Sequence, residues 1–246
     1  MEELDGFKRR VNSLIKRAQD GGVCLLSFLD DAEMGIVLEE MKYQKDITAN
    51  FYGGIIDSDR KRCIISSYPI EDNDYKIKVF EIIYNKKYYE LYHRSVLGAI
   101  MGLGIERKAI GDIVLKEDKR VFFAATEEIS KFLKEEFRSV GKAPIELKEI
   151  DYPIKNEIRY ESKVYFLSSL RLDVVVAGAY QLSRSEVLEY LLRGDISINH
   201  ILNQNPSHIC NLNDEISVRH KGRVKISEIG GHSKSGRLAI TLSKRI

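Results

Sequence analysis

Apolar positions fall into three blocks along the chain. In the first, Phe7, Val11, Leu14, Ile15 and Ala18 recur at i, i+4, i+7, i+8 and i+11, one stripe of an α-helix, with Lys8, Arg9, Arg10, Lys16 and Arg17 on its other side. Gly21-Gly22 stops that helix, Val23–Leu29 reads as a buried strand, and a second helix is expected around Ala32–Met41. Strands near Ala49–Tyr52 and Cys63–Ser67 then flank Gly53-Gly54 and the basic run Arg60-Lys61-Arg62. These elements predict a small α/β domain over residues 1–74.

The second block has a clearer order. Ile77–Tyr84 is a strand, Val96, Leu97, Ile100 and Met101 mark a helix that ends at Gly102 or Gly104, and Asp112–Leu115 and Val121–Ala124 are strands joined by a charged turn. A helix follows, with Thr126 as N-cap and Glu127 and Glu128 where the helix dipole favours anions. Its stripe is Ile129, Phe132, Leu133 and Phe137, Gly141 closes it, and a last strand runs to Ile150. The order βαββαβ over 75–150 is the split-βαβ, ferredoxin-like arrangement. Residues 151–164, with Pro153 and many charges, read as a linker.

The third block, 165–246, opens with a serine-capped apolar run through Leu170, Leu172 and Val174–Val176. Ser183-Arg184-Ser185-Glu186 is a capping box that opens a second helix, whose stripe is Val187, Leu188, Leu191 and Leu192 and whose stop is Gly194. Short strands follow at Ile196–Ile198, Ile216–Val218, Val224–Ile229 and Leu238–Leu242. A helical hairpin with a small sheet would bring Arg171, Arg184, Arg193, Arg219, Lys221 and Arg223 out of neighbouring elements, and forked guanidinium groups suit phosphate oxygens. The fold class expected overall is α+β, in three small domains.

Composition changes this picture in one respect. The 246 residues carry 39 Lys/Arg against 37 Asp/Glu, a net charge of +2. From Tyr165 onward the count is 11 against 7, so positive charge collects in the third block. Three scattered cysteines and no C-x-x-C pair argue against a disulfide framework and against a structural zinc site. The first residues are acidic where a signal peptide would be basic, and the longest apolar run, Val96–Ile105, is too short to span a bilayer. The expectation is a cytoplasmic chain without a membrane segment, acting as a monomer with no metal and no cofactor.

The series R-L-D, S-R-S, R-G-D-I-x-I-N and N-D-E-I-S-V-R, from Arg171 to Arg219, resembles the S-four RNA-binding domain, also called the alpha-L RNA-binding motif. It departs at His200, where that family usually has glycine after the asparagine. The stretch His93–Arg107 with Ile110-Gly111-Asp112-Ile113, the Gly53-Gly54 and Asp59–Arg62 runs, and Gly222–Ile226 are similar to the signature of the YlmH family. Departures there are Asp31-Ala32, Asp59 and Ser95. The resemblance implies a non-catalytic protein that binds structured ribosomal RNA of the large subunit, and peptidyl-tRNA, in ribosome-associated quality control. It also leaves open a cell-division adaptor.

RNA contacts are expected at Arg171, Ser183, Arg184, Arg193, Lys221 and Arg223, with secondary contacts at Arg60, Lys61, Arg62, His93, Arg94 and Arg107. Asp173 reads as a partner that orients an arginine, and His208-x-Cys210 as chance. Val121-Phe122-Phe123 reads as core packing more than as a base-stacking strand. The enzymatic rival is a pseudouridine synthase, whose G-R-L-D signature supplies a catalytic aspartate. This chain has Gly236-Arg237-Leu238-Ala239, with alanine in the nucleophile's place. No glycine-rich cofactor loop and no nucleophile–base pair with a recognisable spacing is visible, so no catalytic residue is expected.

Overall fold

The computed structural model describes residues 2–157 and 160–245. Among them the protein is α+β, with six α-helices and three antiparallel sheets. Where three domains are expected, two compact units form: Met1–Glu33 with Glu40–Glu157, and Met34–Glu39 with Ile158–Ile246.

The first unit opens with α1 (Glu2–Gln19), whose Val11, Ile15 and Ala18 are buried as the stripe requires. The buried run after Gly22 forms only the short strand β1 (Cys24–Leu25). Helix α2 (Asp31–Met41) follows in the chain, its Met34–Glu39 counted with the second unit, then β2 (Thr48–Tyr52) and β3 (Arg62–Ser66), in the sheet order β1-β3-β2. The middle segment runs β4 (Ile77–Tyr84), α3 (His93–Met101), β5 (Ile110–Leu115), β6 (Val121–Thr126), α4 (Glu127–Glu136), β7 (Ser139–Val140) and β8 (Ala143–Ile150). Its strand order is β5-β6-β4-β8-β7, every neighbour antiparallel. Thr126 is the N-cap of α4, but Gly141 does not end that helix: it turns β7 into β8 with φ 57°.

The sheet is covered on both faces, which is why the first two blocks merge. On one face Phe80, Ile82 and Phe123 pack with Val96 and Ile100 of α3 and Leu133 of α4. On the other, Phe122, Ala124, Val114 and Ile150 pack with Phe28, Ile55 and Ile154. Every residue of β6 is accordingly buried, as its unbroken apolar run implies. Gly111 permits the close approach, because a Cβ there would lie 2.7 Å from the Phe28 ring.

In the second unit, β9 (Tyr160–Leu167) is a strand paired along β14. It replaces the second half of the linker expected over 151–164; residues 158 and 159 of that span lie outside the described residues. Then come α5 (Leu172–Tyr180), α6 (Arg184–Arg193), β10 (Ile196–Ile198), β11 (Ile201–Leu202), β12 (Glu215–Val218), β13 (Gly222–His232) and β14 (Leu238–Arg245). The sheet order is β11-β10-β12-β13-β14-β9. Leu172, Val175, Val176, Val187 and Leu191 close a core against Ile196, Ile216, Val224 and Ile240. Among the described residues no helix is long and apolar enough to cross a membrane.

The β10–β11 hairpin turns through Asn199 (φ 50°) and His200 (φ 72°), both left-handed. The tight turn therefore forms with histidine where glycine is usual. A side chain there bears the steric cost of positive φ. His200→Gly is expected to stabilise the protein by about 0.5 kcal/mol after glycine's larger unfolded-state entropy is subtracted, read as a raised melting temperature.

Candidate nucleic-acid interface

The loop after β9 delivers Arg171 to the N-cap of α5, in extended conformation, not the serine expected there. Backbone hydrogen bonds fix this entry: Leu172 N–H donates to His208 O at 2.8 Å, and Cys210 N–H to Leu170 O at 2.8 Å. Asp173 lies in the first turn, 2% exposed. Its Oδ1 accepts from Val174 N–H at 3.0 Å and from Arg171 Nε at 3.0 Å, while its Oδ2 accepts from Arg171 Nη2 at 2.9 Å. That fork is the two-point pairing a guanidinium makes best. It holds the Asp173 carboxyl below the usual carboxylate range, against the opposing effect of burial.

Arg184 comes to the same carboxylate from the first turn of α6, with Nη2 3.6 Å from Asp173 Oδ2. The capping box sets its position. Ser183 Oγ accepts from Glu186 N–H at 3.3 Å and donates to Glu186 Oε2 at 2.7 Å, and Ser183 N–H donates to that oxygen at 2.8 Å. The Ser183 hydroxyl expected to meet RNA is thus engaged in the cap, and its contribution is to aim Arg184. One buried carboxylate holds two cations whose side chains remain 35% (Arg171) and 76% (Arg184) exposed. They line an open cleft of about 570 Å³ together with Arg237, Phe166 and Val174.

The other expected contacts divide. Arg193 stacks over Tyr190, 4.8 Å from its ring centroid, with Nε 3.1 Å from Asp195 Oδ2. Lys221 lies 5.9 Å from the same ring, so these two share a second cationic patch at the far end of α6. Arg223 does not join either group: its side chain is 18% exposed, Nη1 lies 3.6 Å from Glu215 Oε1, and it is withdrawn into the sheet.

In the first unit, Arg62 is corrected outright. It is 5% exposed and donates from Nε to Leu26 O and from Nη1 to Lys76 O, each at 3.0 Å, so it ties segments together. Arg60 turns inward, with Nη2 3.0 Å from Phe28 O. Its N–H and that of Asp59 donate to the buried Asp112 carboxylate at 3.0 and 2.7 Å. Arg107 donates to Ile110 O and Gly111 O; burial, then the nearby Arg60 charge, brings its guanidinium down to about 10. Burial first and Arg107 second hold His93 below its ordinary value. Lys61 pairs through its backbone with Leu29, and Arg94 is exposed at the start of α3. Of these, Arg62 links the Leu26 segment to Lys76, and the Arg60 segment is tied to Phe28 and Asp112.

The aromatic pair on β6 is unavailable for base stacking, since Phe122 and Phe123 are both fully buried. Burial also pushes the Cys63 and Cys210 thiols up to about 12, which leaves them poor nucleophiles. Sequence reading missed Arg237 and Phe166 as members of the cleft. The signal for Arg237 was present but read only as the remnant of G-R-L-D. Phe166 lies just past the expected linker, and with residues 160–164 of its strand inside that linker no strand was expected to carry it.

Residues 69–153 match the family model described as "Putative RNA-binding domain in YlmH". The "Ribosome-associated protein quality control protein P2" of Bacillus subtilis (strain 168) is 31% identical over 225 residues, 90% of this chain and 87% of that relative. Among solved structures, the "Cell division protein ylmH from Streptococcus pneumoniae" aligns with a TM-score of 0.52 and 24% identity, over 61% of this chain and 93% of that one. At that identity the likeness bears on fold alone.

Proposed function

The chain belongs to the YlmH family, and on that premise we propose that it is a non-catalytic, cytoplasmic RNA-binding protein that docks on structured rRNA of the large ribosomal subunit. Its role in this reading is ribosome-associated quality control of obstructed peptidyl-tRNA. We read the middle sheet, with its 2-3-1-4 strand order and two helices on one face, as ferredoxin-like. We read α5, α6 and the sheet behind them as the alpha-L RNA-binding motif.

One observation carries the proposal: Arg171 and Arg184, delivered by two different helix starts, converge on a single buried carboxylate and remain open to solvent. A pair of guanidiniums fixed in this way meets phosphates with little further loss of side-chain freedom. Recognition then follows the shape of folded RNA more than its sequence. The adaptor reading has less behind it, since nothing about a cationic cleft calls for a protein partner.

Salt dependence tests the proposal. Contact with roughly 4–6 phosphates gives a log–log slope of affinity against salt of about −3 to −4, at ~0.7 per phosphate. Arg184→Ala is expected to weaken binding of rRNA fragments and flatten the slope by about one contact. Titration at several salt concentrations reads both quantities. An unchanged slope and affinity would remove Arg184 from the interface.

A further inference from the structure

We infer that the cleft between the β9–α5 corner and the start of β14 receives one unpaired RNA nucleotide, its base on Phe166 and its phosphates on Arg171, Arg184 and Arg237. The inference rests on the RNA-binding reading above and adds the form of RNA that the site prefers.

Three features of the cleft require more than a row of phosphates. Its lining is of two kinds: the three arginines with Asp173, and the apolar Phe166, Val174 and Ala177. Duplex backbone satisfies the first kind and leaves the second in water. An unstacked nucleotide satisfies both, since its phosphate is anionic and its base presents an apolar face.

Phe166 is 54% exposed. Its neighbour across the strand pair is Ala239, too small to cover an aromatic ring. A large ring left uncovered beside guanidiniums is the arrangement single-stranded nucleic acid uses as a stacking platform.

The lining is tightly packed where helix meets strand. Gly178 of α5 lies so near Leu167 that a Cβ there would come within 2.7 Å of a Leu167 methyl. The volume of about 570 Å³ falls in the range of small-ligand pockets. Charge agrees, because Asp173 neutralises one of the three arginines lining the cleft and two positive charges remain for the phosphates on either side of the base.

The experiment uses two RNA hairpins of equal stem length, one fully paired and one with a single bulged 2-aminopurine, titrated with the full-length protein. The wild type is expected to prefer the bulged hairpin by roughly tenfold, the scale of one base stacked on an aromatic ring, and to change the 2-aminopurine fluorescence on binding. Phe166→Ala is expected to abolish the preference, bringing the affinity for the bulged hairpin down to that for the paired one. Arg184→Ala is expected to weaken both. Phe166→Leu, which keeps an apolar strand residue without a ring, controls for folding and should also lose the preference. Equal affinity of the wild type for both hairpins, with both weakened by Arg184→Ala, overturns this inference and leaves the RNA-binding reading standing. So does a preference that survives Phe166→Ala. Failure to bind either hairpin overturns both.

Discussion

Phe28→Ala is expected to destabilise the first unit by about 3–5 kcal/mol, the range for removing a fully buried aromatic ring. Phe28 is 0% exposed and packs with Ile55, Phe122 and Ile154, on the sheet face away from α3 and α4. The cavity would be poorly relieved. Phe122 is held in the ladder between β4 and β5, and Gly111 has no side chain to move into the space. The same ring seals the joint that Arg60 crosses from the other side, through its bond to Phe28 O. Chemical denaturation would read the loss as a lower midpoint. Hydrogen exchange would show faster opening of β3, with the ladder between β4 and β8 affected less. A midpoint unchanged from the wild type would mean that the two sequence blocks are separate domains after all.

How the chain folds was legible where one residue pattern determines one outcome. The stripe Val11, Ile15, Ala18 and the capping box at Ser183 each allow a single local solution, and both are present. The βαββαβ element order of the middle segment is legible in its apolar runs, caps and glycines, and only the two-residue β7 is additional. What sequence could not supply was the covering of the second sheet face. The run Val121–Thr126 announces a strand buried on both sides, but nothing in it names the partner. That partner is Phe28, in a segment that contributes only two residues to a strand and so has no period to read. The linker expectation failed for a related reason. Charges on Glu161 and Lys163 suggest a solvated connection, and both residues are exposed, yet each residue from Tyr160 to Leu167 has a register partner on β14.

The site shows the same division. Arg184 is readable because its capping box fixes the start of α6, whereas α5 starts at Arg171, past the serine expected to cap it. Arg62 and Arg223 are not readable. Residue type says that an arginine prefers water or a phosphate, whereas Arg62 finds two backbone carbonyls and Arg223 finds Glu215. Burial of this kind is decided by tertiary packing, and a basic run in sequence carries no record of it. Arg60 and Arg62 thus tie segments of the first unit together, whereas Arg171 and Arg184 stay partly exposed beside their carboxylate.

Asp173→Asn is expected to cost about 2–3 kcal/mol at neutral pH, less than the 3–5 of a fully buried broken pair because Arg171 stays one-third exposed and Arg184 largely so. The asparagine keeps the shape but gives up the charge that both guanidiniums face, and one of its two positions becomes a donor directed at other donors. The pH dependence follows from the direction of the Asp173 shift. Its carboxyl is held below the ordinary value in the folded protein, chiefly by the Arg171 hydrogen bond, so its contribution is fully present above the unfolded value of about 4. That contribution disappears as pH falls through the lower, folded value. The gap in stability between wild type and Asp173→Asn should therefore be widest near pH 7 and close progressively below about pH 4. Denaturation midpoints across that interval measure it. A gap that stayed constant with pH would mean that the carboxylate acts only by shape, and that the two arginines are held in place by something other than its charge.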